Sequence, residues 1–249
     1  MPDKMKTKTI AIKTKALTKY SQGTSKTRAI LKDISLVIEA GDFVSIMGKS
    51  GSGKSTLLYL LSSLDTFEEG EVWLLGEALT TLDETKRANL RRTKIGFVFQ
   101  DATFLEHLTL LDNILLPCLK DTKDQEALRQ KGLNLLQQFN LGKLVEQGMA
   151  TASGGELQRA GICRALINDP EIIFADEPTG ALNSKMSEEV MAQFQKIHQA
   201  GRTIVLVTHD PKMAAETERV LFMHDGEIIE DVSLQALDDE ARPSYVYEV

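Results

Sequence analysis

Short β-branched or aliphatic runs recur along the chain at 43–47, 94–99, 172–175, 203–207 and 219–224, and each has the length of a strand. Helical spacing separates several of them. Met186, Val190, Phe194 and Ile197 mark one apolar face, with Gly201 placed to end the helix. Leu128, Leu135, Leu136 and Phe139 mark another, which runs through Gly132 and stops at Asn140-Leu141-Gly142. His224-Asp225-Gly226-Glu227 lies between two apolar runs and predicts a hairpin turn. Strands alternating with helices predict a largely parallel, helix-covered sheet. Residues 103–157 break this rhythm: they read as mostly helical, without a convincing strand, and so predict a helical subdomain inserted between two core strands. No solenoid repeat or low-complexity segment is present.

Composition adds little to this picture and excludes several classes. The 249 residues suffice for one large α/β domain, and 42% hydrophobic with 26% charged residues is ordinary globular usage. No apolar run reaches the roughly 18–20 residues that span a bilayer, and the lysine-rich start lacks the apolar stretch of a signal peptide. Cys118 and Cys163 match no metal spacing and read as reduced thiols of a cytosolic protein. The net charge is −7, yet the first 28 residues carry eight Lys or Arg against one Asp. Thr9-Ile10-Ala11-Ile12-Lys13 onward alternates as a half-exposed strand would, so these cations read as its solvated face. The acidic total argues against a nucleic-acid partner.

Chemistry enters at Gly48-Lys49-Ser50-Gly51-Ser52-Gly53-Lys54-Ser55, which fits G-x-x-x-x-G-K-[ST]. An apolar strand runs in, and a helix carrying Leu57, Leu58, Leu60 and Leu61 runs out. Glycines at these positions let successive N–H groups face one anion, and the helix start adds its partial positive charge. Lys54 is suited to neutralise β- and γ-phosphates, and the Ser55 hydroxyl to hold Mg²⁺; Thr56 completes the set. Glu171-Ile172-Ile173-Phe174-Ala175-Asp176-Glu177 is a buried-strand pattern that ends in two carboxylates. Asp176 suits a Mg²⁺ ligand, and Glu177 a base that polarises water. Ser153-Gly154-Gly155, leading into a helix, forms a second anion-binding start. One chain already holds a phosphate loop, so a second such start suggests closure over the same phosphate from another subunit.

In this order and spacing the motifs resemble the ABC-transporter ATPase family over nearly the whole chain. Gln100, after Phe97-Val98-Phe99, resembles the family's Q-loop glutamine, a further Mg²⁺ contact; Ser153-Gly154-Gly155 resembles its signature. Ala181-Leu182-Asn183 resembles the D-loop, His209 the switch histidine, and Tyr20 the aromatic that stacks on adenine. The resemblance implies an α/β P-loop NTPase fold: a RecA-like core with a mainly parallel sheet, an antiparallel β-subdomain and the helical insertion. Core and β-subdomain would occupy about 1–102 and 158–235, the insertion 103–157, and a C-terminal tail 236–249. It further implies ATP and Mg²⁺, a head-to-tail pair with a second copy, and a separate membrane permease that holds the chain at the cytoplasmic face.

Ile95 to Gln100, Asn113 to Pro117 and Asp176 to Leu182 resemble the lipoprotein-release, macrolide-export and bacitracin-resistance ATPases. Three positions depart from the family pattern: Ala152 for the usual Leu, Lys49 where Pro is more usual, and Asn183 for the D-loop Asp. A soluble ABC-type ATPase without a permease and an antimicrobial-peptide sensing module are the alternative readings. A P-loop kinase or GTPase would leave Ser153-Gly154-Gly155 and His209 unexplained.

Overall fold

The computed structural model describes residues 9–21, 28–101, 103–119, 124–145, 152–238 and 241–248. Among them, six strands form one sheet: β4 (Phe43–Gly48), β7 (Ile95–Val98), β8 (Ile172–Asp176), β9 (Thr203–Val207), β10 (Arg219–His224) and β11 (Glu227–Ser233), in the order β11-β10-β4-β9-β8-β7. All pairs but β10–β11 are parallel. The continuous apolar runs exist because both faces are covered. Phe43, Ile173, Ala175, Ile204 and Leu206 join one core cluster, whereas Val44, Ile46, Ile172, Phe174, Val205 and Val207 join the other, as a period of two requires. The edge strand β11 instead alternates between exposed and half-buried positions.

The second sheet is antiparallel and contains β1 (Ile10–Tyr20), β2 (Ala29–Ile34), β3 (Val37–Glu39), β5 (Glu69–Leu74) and β6 (Glu77–Ala78). Its inner face, with Ile12, Leu17, Leu31 and Val72, packs on the core cluster that also holds α1 (Lys54–Leu61). α2 (Glu84–Lys94) follows. Its composition hides it from a periodicity search: Leu90 alone is buried, and the helix starts on an Asp83 cap whose carboxylate accepts from Lys86 N–H at 2.8 Å.

Between β7 and β8 come α3 (Leu110–Leu115), α4 (Gln125–Gln138) and α5 (Gly154–Leu166), all helical as expected, with Leu111, Ile114, Leu128 and Leu136 in a shared core. Gly132 lies where a Cβ would come within 2.7 Å of Leu115 and 2.8 Å of Leu111, so the glycine inside α4 is the notch that lets α3 approach. Asn183 caps α6 (Ser184–Gln199), and α7 (Pro211–Ala215) precedes β10. The residues read as a tail contain α8 (Ala241–Glu248), whose Val246 is buried in a cluster with Ala214 and Phe222. His198 is half-buried: its ring lies 5.5 Å from Phe43, and its Nε2 meets the Gly41 carbonyl at 2.8 Å.

The predicted hairpin turn is present. Asp225 and Gly226 both have positive φ (46° and 83°), the conformation that two-residue hairpins favour. The backbone of β7 meets the last turn of α5 at Gly96, where a Cβ would sit 2.6 Å from the Ala165 carbonyl oxygen. A backbone atom cannot swing aside, so Gly96→Ala is expected to cost about 1–3 kcal/mol. Thermal denaturation should show a midpoint lower by roughly 2–4 °C for each kcal/mol.

Candidate functional site

The parallel order brings the carboxyl ends of β4, β8 and β9 side by side, the edge at which open α/β sheets bind ligands. From β4 the chain turns through Gly48, Gly51 and Gly53, with φ of 149°, 81° and 102°, into the first turn of α1. At Gly48 and Gly53 space is also limiting. A Cβ on Gly48 would sit 2.2 Å from the Met223 carbonyl oxygen, and one on Gly53 2.8 Å from Leu31 and 3.0 Å from the Ile30 carbonyl oxygen. The loop rests on the β10–β11 turn, because Gly226 N–H donates to the Ser52 carbonyl at 3.0 Å.

Ser50, Gly51, Gly53, Lys54, Ser55, Thr56 and Glu177, with Ile30, line a cavity of 310 Å³. It shares Ile30 and Gly51 with a larger cleft of 670 Å³, on whose walls Ser21, Arg28 and Lys32 also lie. The Lys54 ammonium, buried, donates to the carbonyls of Gly48 (2.8 Å) and Lys49 (3.0 Å). Burial lowers its affinity for the proton, against the pull of Glu177 and Asp176. Ser55 Oγ donates to Asp176 Oδ1 at 2.9 Å, and Asp176 itself is buried.

Glu177 stands in the left-handed region (φ 43°), and its N–H is held by the Val207 carbonyl at 3.0 Å. Such a conformation in a non-glycine residue stores strain, and here it swings the side chain off the line of β8. Glu177 Oε2 meets His209 Nδ1 at 3.1 Å. Gln100 joins them: a point one Cβ out from Gly180 lies 3.3 Å from Glu177 Oε2 and 3.5 Å from Gln100 Nε2. Phosphate loop, Asp176, Glu177, His209 and Gln100 thus converge in one chain.

Two predicted elements lie outside that cavity. Ser153 and Gly154 are exposed and line neither cavity wall. Ser153 caps α5 in a reciprocal box, accepting from Glu156 N–H at 3.4 Å while its own N–H donates to Glu156 Oε2 at 2.7 Å. The Ser153 hydroxyl, which donates to the same Oε2 at 2.7 Å, and then the Ser153 N–H hold the Glu156 carboxyl below the usual carboxylate range. Gly155 faces α6, where a Cβ would run into Met186 Cε at 1.7 Å. Tyr20 ends β1 with its hydroxyl on Glu69 at 3.1 Å, and its neighbour Ser21, rather than Tyr20 itself, lines the cleft. The Glu69 carboxylate is the largest cause raising the phenol's pKa.

A donor set of hydroxyl and carboxylate oxygens suits a hard cation such as Mg²⁺. Consistent with a loop shaped for an anion, the buried Ser52 Oγ has no hydrogen-bond partner among the described residues. Residues 31–180 match the family model described as ABC transporter. The chain belongs to the ABC transporter family. Over 204 residues the cassette is 45% identical to the lipoprotein-releasing system ATP-binding protein LolD of Aquifex aeolicus, covering 82% of this chain and 91% of that protein. Over another 204 it is 46% identical to the macrolide export ATP-binding/permease protein MacB of Neisseria meningitidis, covering 82% of this chain and 32% of that protein. The cassette therefore spans about a third of MacB-type proteins. Its fold matches the dimeric ATP-binding cassette MJ0796 bound to ADP and Pi, with a TM-score of 0.84 at 39% identity over 91% of this chain and all of that one. The cassette is an ATP-binding subunit and an ATPase, with Mg²⁺ as cofactor.

Two residues escaped the sequence reading. Tyr59 lies one turn beyond Ser55 on α1, and burial first and the Asp176 carboxylate second push its pKa up to about 12. Its spacing of four from Ser55 was the available signal. Gln158, buried on α5, donates to the Phe99 carbonyl at 3.3 Å and so ties the helix after Ser153 to the strand end before Gln100. A polar residue on an otherwise apolar helix face was the clue there.

The loop glycines give an internally controlled test. Gly48→Ala adds a backbone clash to a left-handed φ, whereas Gly51→Ala meets nothing within 4 Å and carries the backbone strain alone. With strain of about 1–3 kcal/mol, titration of a fluorescent ATP analogue should show a roughly tenfold or greater loss for Gly48→Ala. The loss for Gly51→Ala should be smaller.

Proposed function

We propose that this chain is the motor of a bacterial transporter: two copies close head-to-tail on ATP and drive a separate permease at the cytoplasmic face of the membrane. The permease would export or release a peptide, lipid or antimicrobial compound. The observation that carries this reading is the division of the site. Lys54, Ser55 and Glu177 line one cavity, with Asp176 bonded to Ser55 and His209 to Glu177, while Ser153 and Gly154 stand exposed outside it, ready to cover a phosphate held by another copy. No helix among the described residues is long and apolar enough to cross a membrane.

In this reading the loop N–H groups and Lys54 hold the β- and γ-phosphates, and Tyr20 lies on the side of the nucleotide base. Ser55, Asp176 and Gln100 would hold Mg²⁺, which supplies positive charge to the phosphate oxygens. Glu177 Oε2 accepts a proton from the water that attacks the γ-phosphorus. His209, bonded to Glu177 through Nδ1, fixes that carboxylate, and by turning from it the ring can donate to the γ-phosphate as charge develops. Ser153, Gly154 and Gly155 of the second copy would close over the γ-phosphate.

A cleft of 480 Å³ between the core and the helical insertion supports permease docking. Phe97, Phe99, Asp101 and Arg164 line it, and Phe99 is 38% exposed. Close by, Leu105 is 45% exposed, whereas Phe104 packs against the insertion's core and under the Arg164 guanidinium. Both the N–H and C=O of Leu105 bond to Asn113, so its side chain can be changed without loosening the backbone.

Glu177→Gln keeps the shape and removes the base. Steady-state hydrolysis should fall by about 10²–10⁴-fold, and gel filtration with ATP and Mg²⁺ should then show a stable dimer. Near-normal turnover would reject this role. Leu105→Asp tests the permease: hydrolysis by the isolated subunit should stay within about threefold, while permease pull-down and permease-stimulated hydrolysis are lost. Unchanged stimulation with an intact circular dichroism spectrum would remove this surface from the docking site.

A further inference from the structure

The backbone on either side of Gln100 is held by side chains of one helix, α5. Gln158, buried like Ala160, Ile162 and Cys163 of the same helix, donates its amide to the Phe99 carbonyl at 3.3 Å, one residue before Gln100. Arg164, six residues further along α5, donates through Nη1 to the Thr103 carbonyl at 2.6 Å, three residues after Gln100. Its guanidinium lies 4.6 Å from the centroid of the Phe104 ring, and Thr103 Oγ1 donates back to the Asp101 carbonyl at 3.4 Å. Phe99 and Gln100 are exposed, so water could serve carbonyls in this stretch. Burying an amide on a helix whose other buried residues are small and apolar costs free energy that an apolar residue would not. The clasp therefore specifies where the segment lies, beyond filling its hydrogen bonds.

We propose that Gln158, with Arg164 as anchor, is a positioning residue that ties Gln100 to the signature helix: when Gln100 settles on the nucleotide of its own copy, Ser153 is set in place for the nucleotide of the other. The two ends of α5 make this a lever. Its last turn is pinned where Ala165 meets Gly96 of β7, and Arg164 stands beside that pivot. Gln158 lies about 10 Å from the pivot and Ser153 about 18 Å, at 1.5 Å per residue. A pull at Gln158 therefore moves Ser153 further than it moves Gln158 itself. At the other end of the link, Gln100 Nε2 and Glu177 Oε2 lie 3.5 and 3.3 Å from one point beside Gly180, so Gln100 already stands next to the carboxylate of the cavity. Two sites that share such an element typically differ about five- to 150-fold in affinity according to the state of the other.

This inference rests on the readings of Gln100 as a nucleotide-site residue and of two copies closing on ATP, so each is tested beside it on the full chain. Glu177→Gln serves as the parent, so that ATP is bound and not consumed. Gln158→Met keeps the length and the apolar fit and deletes the amide. Binding of a fluorescent ATP analogue is measured on dilute monomer, and dimerisation with ATP and Mg²⁺ by analytical ultracentrifugation. The expected result for Gln158→Met is monomer affinity within about twofold of the parent, with the dimer dissociation constant raised about tenfold. Combined with Gln100→Ala, the same substitution should add less than about twofold, since the group it positions is gone. Arg164→Met frees the other side of the segment and should give the same pattern, which keeps the test open if Gln158→Met does not fold. If Gln100→Ala weakens the dimer while Gln158→Met and Arg164→Met leave it unchanged, the clasp is overturned and the reading of Gln100 stands. A dimer unchanged by Gln100→Ala would overturn both. A full Gln158→Met penalty on top of Gln100→Ala would show a merely structural bond and would also overturn the proposal. A parent that stays monomeric with ATP would overturn the two-copy reading and this inference with it.

Discussion

A serine hydroxyl on the first turn of α1 and a buried carboxylate at the end of β8 lie 2.9 Å apart, and most of the architecture serves that meeting. Ser55 can reach Asp176 only if the phosphate loop turns back sharply enough, which takes three glycines at positive φ. Asp176 can be buried as an acid only because polar groups await it there. The parallel sheet sets the remaining distance, because β4 and β8 sit on either side of β9 with their carboxyl ends level.

Around that pair the chain separates what must be rigid from what must be left open. The loop is backed by the β10–β11 turn, and Glu177 is pinned by its N–H to Val207. On the other side, Ser153 spends its hydrogen bonds on its own helix start and on Glu156, and so reaches nothing across the site. Gly155 packs against the end of Met186 on α6, whose Sδ faces the Asn183 amide at 3.2 Å. The Asn183 that departs from the usual acidic residue therefore still caps α6, and its amide adds a contact to sulfur that a carboxylate could not donate.

Strands buried on both faces announced themselves in the sequence, since an unbroken apolar run has no other home in a helix-covered sheet. The phosphate loop and the Asp176-Glu177 pair were legible for a related reason: strict backbone and charge requirements leave few substitutes. What stayed hidden relied on partners distant in sequence. α2 has one buried residue and is held by caps and charges, so it offers no stripe to find. Tyr59 looks like one more residue of an apolar helix until Asp176, 117 positions later, is placed beside it. Gln158 and His198 likewise acquire meaning only from the backbone carbonyls of Phe99 and Gly41. Of the antiparallel sheet only β1 was read, from its alternation; its partners are short and pair with it through bulges, which leaves them no regular period.

The strand that delivers the phosphate loop has neighbours that arrive very late. β4 ends at residue 48, yet both strands that pair with it, β9 and β10, lie beyond residue 200. During synthesis the segment carrying the loop must therefore wait, both edges unpaired, while more than 150 further residues emerge. Sequence separation of this size makes closure of the central sheet a late and slow event. An intermediate that had formed the antiparallel sheet and the helical insertion would still present Phe43-Val44-Ser45-Ile46 as an open, sticky edge. In the cell such a chain would be exposed to aggregation until β9 and β10 were made, and a chain ended before β9 would keep that edge open for good.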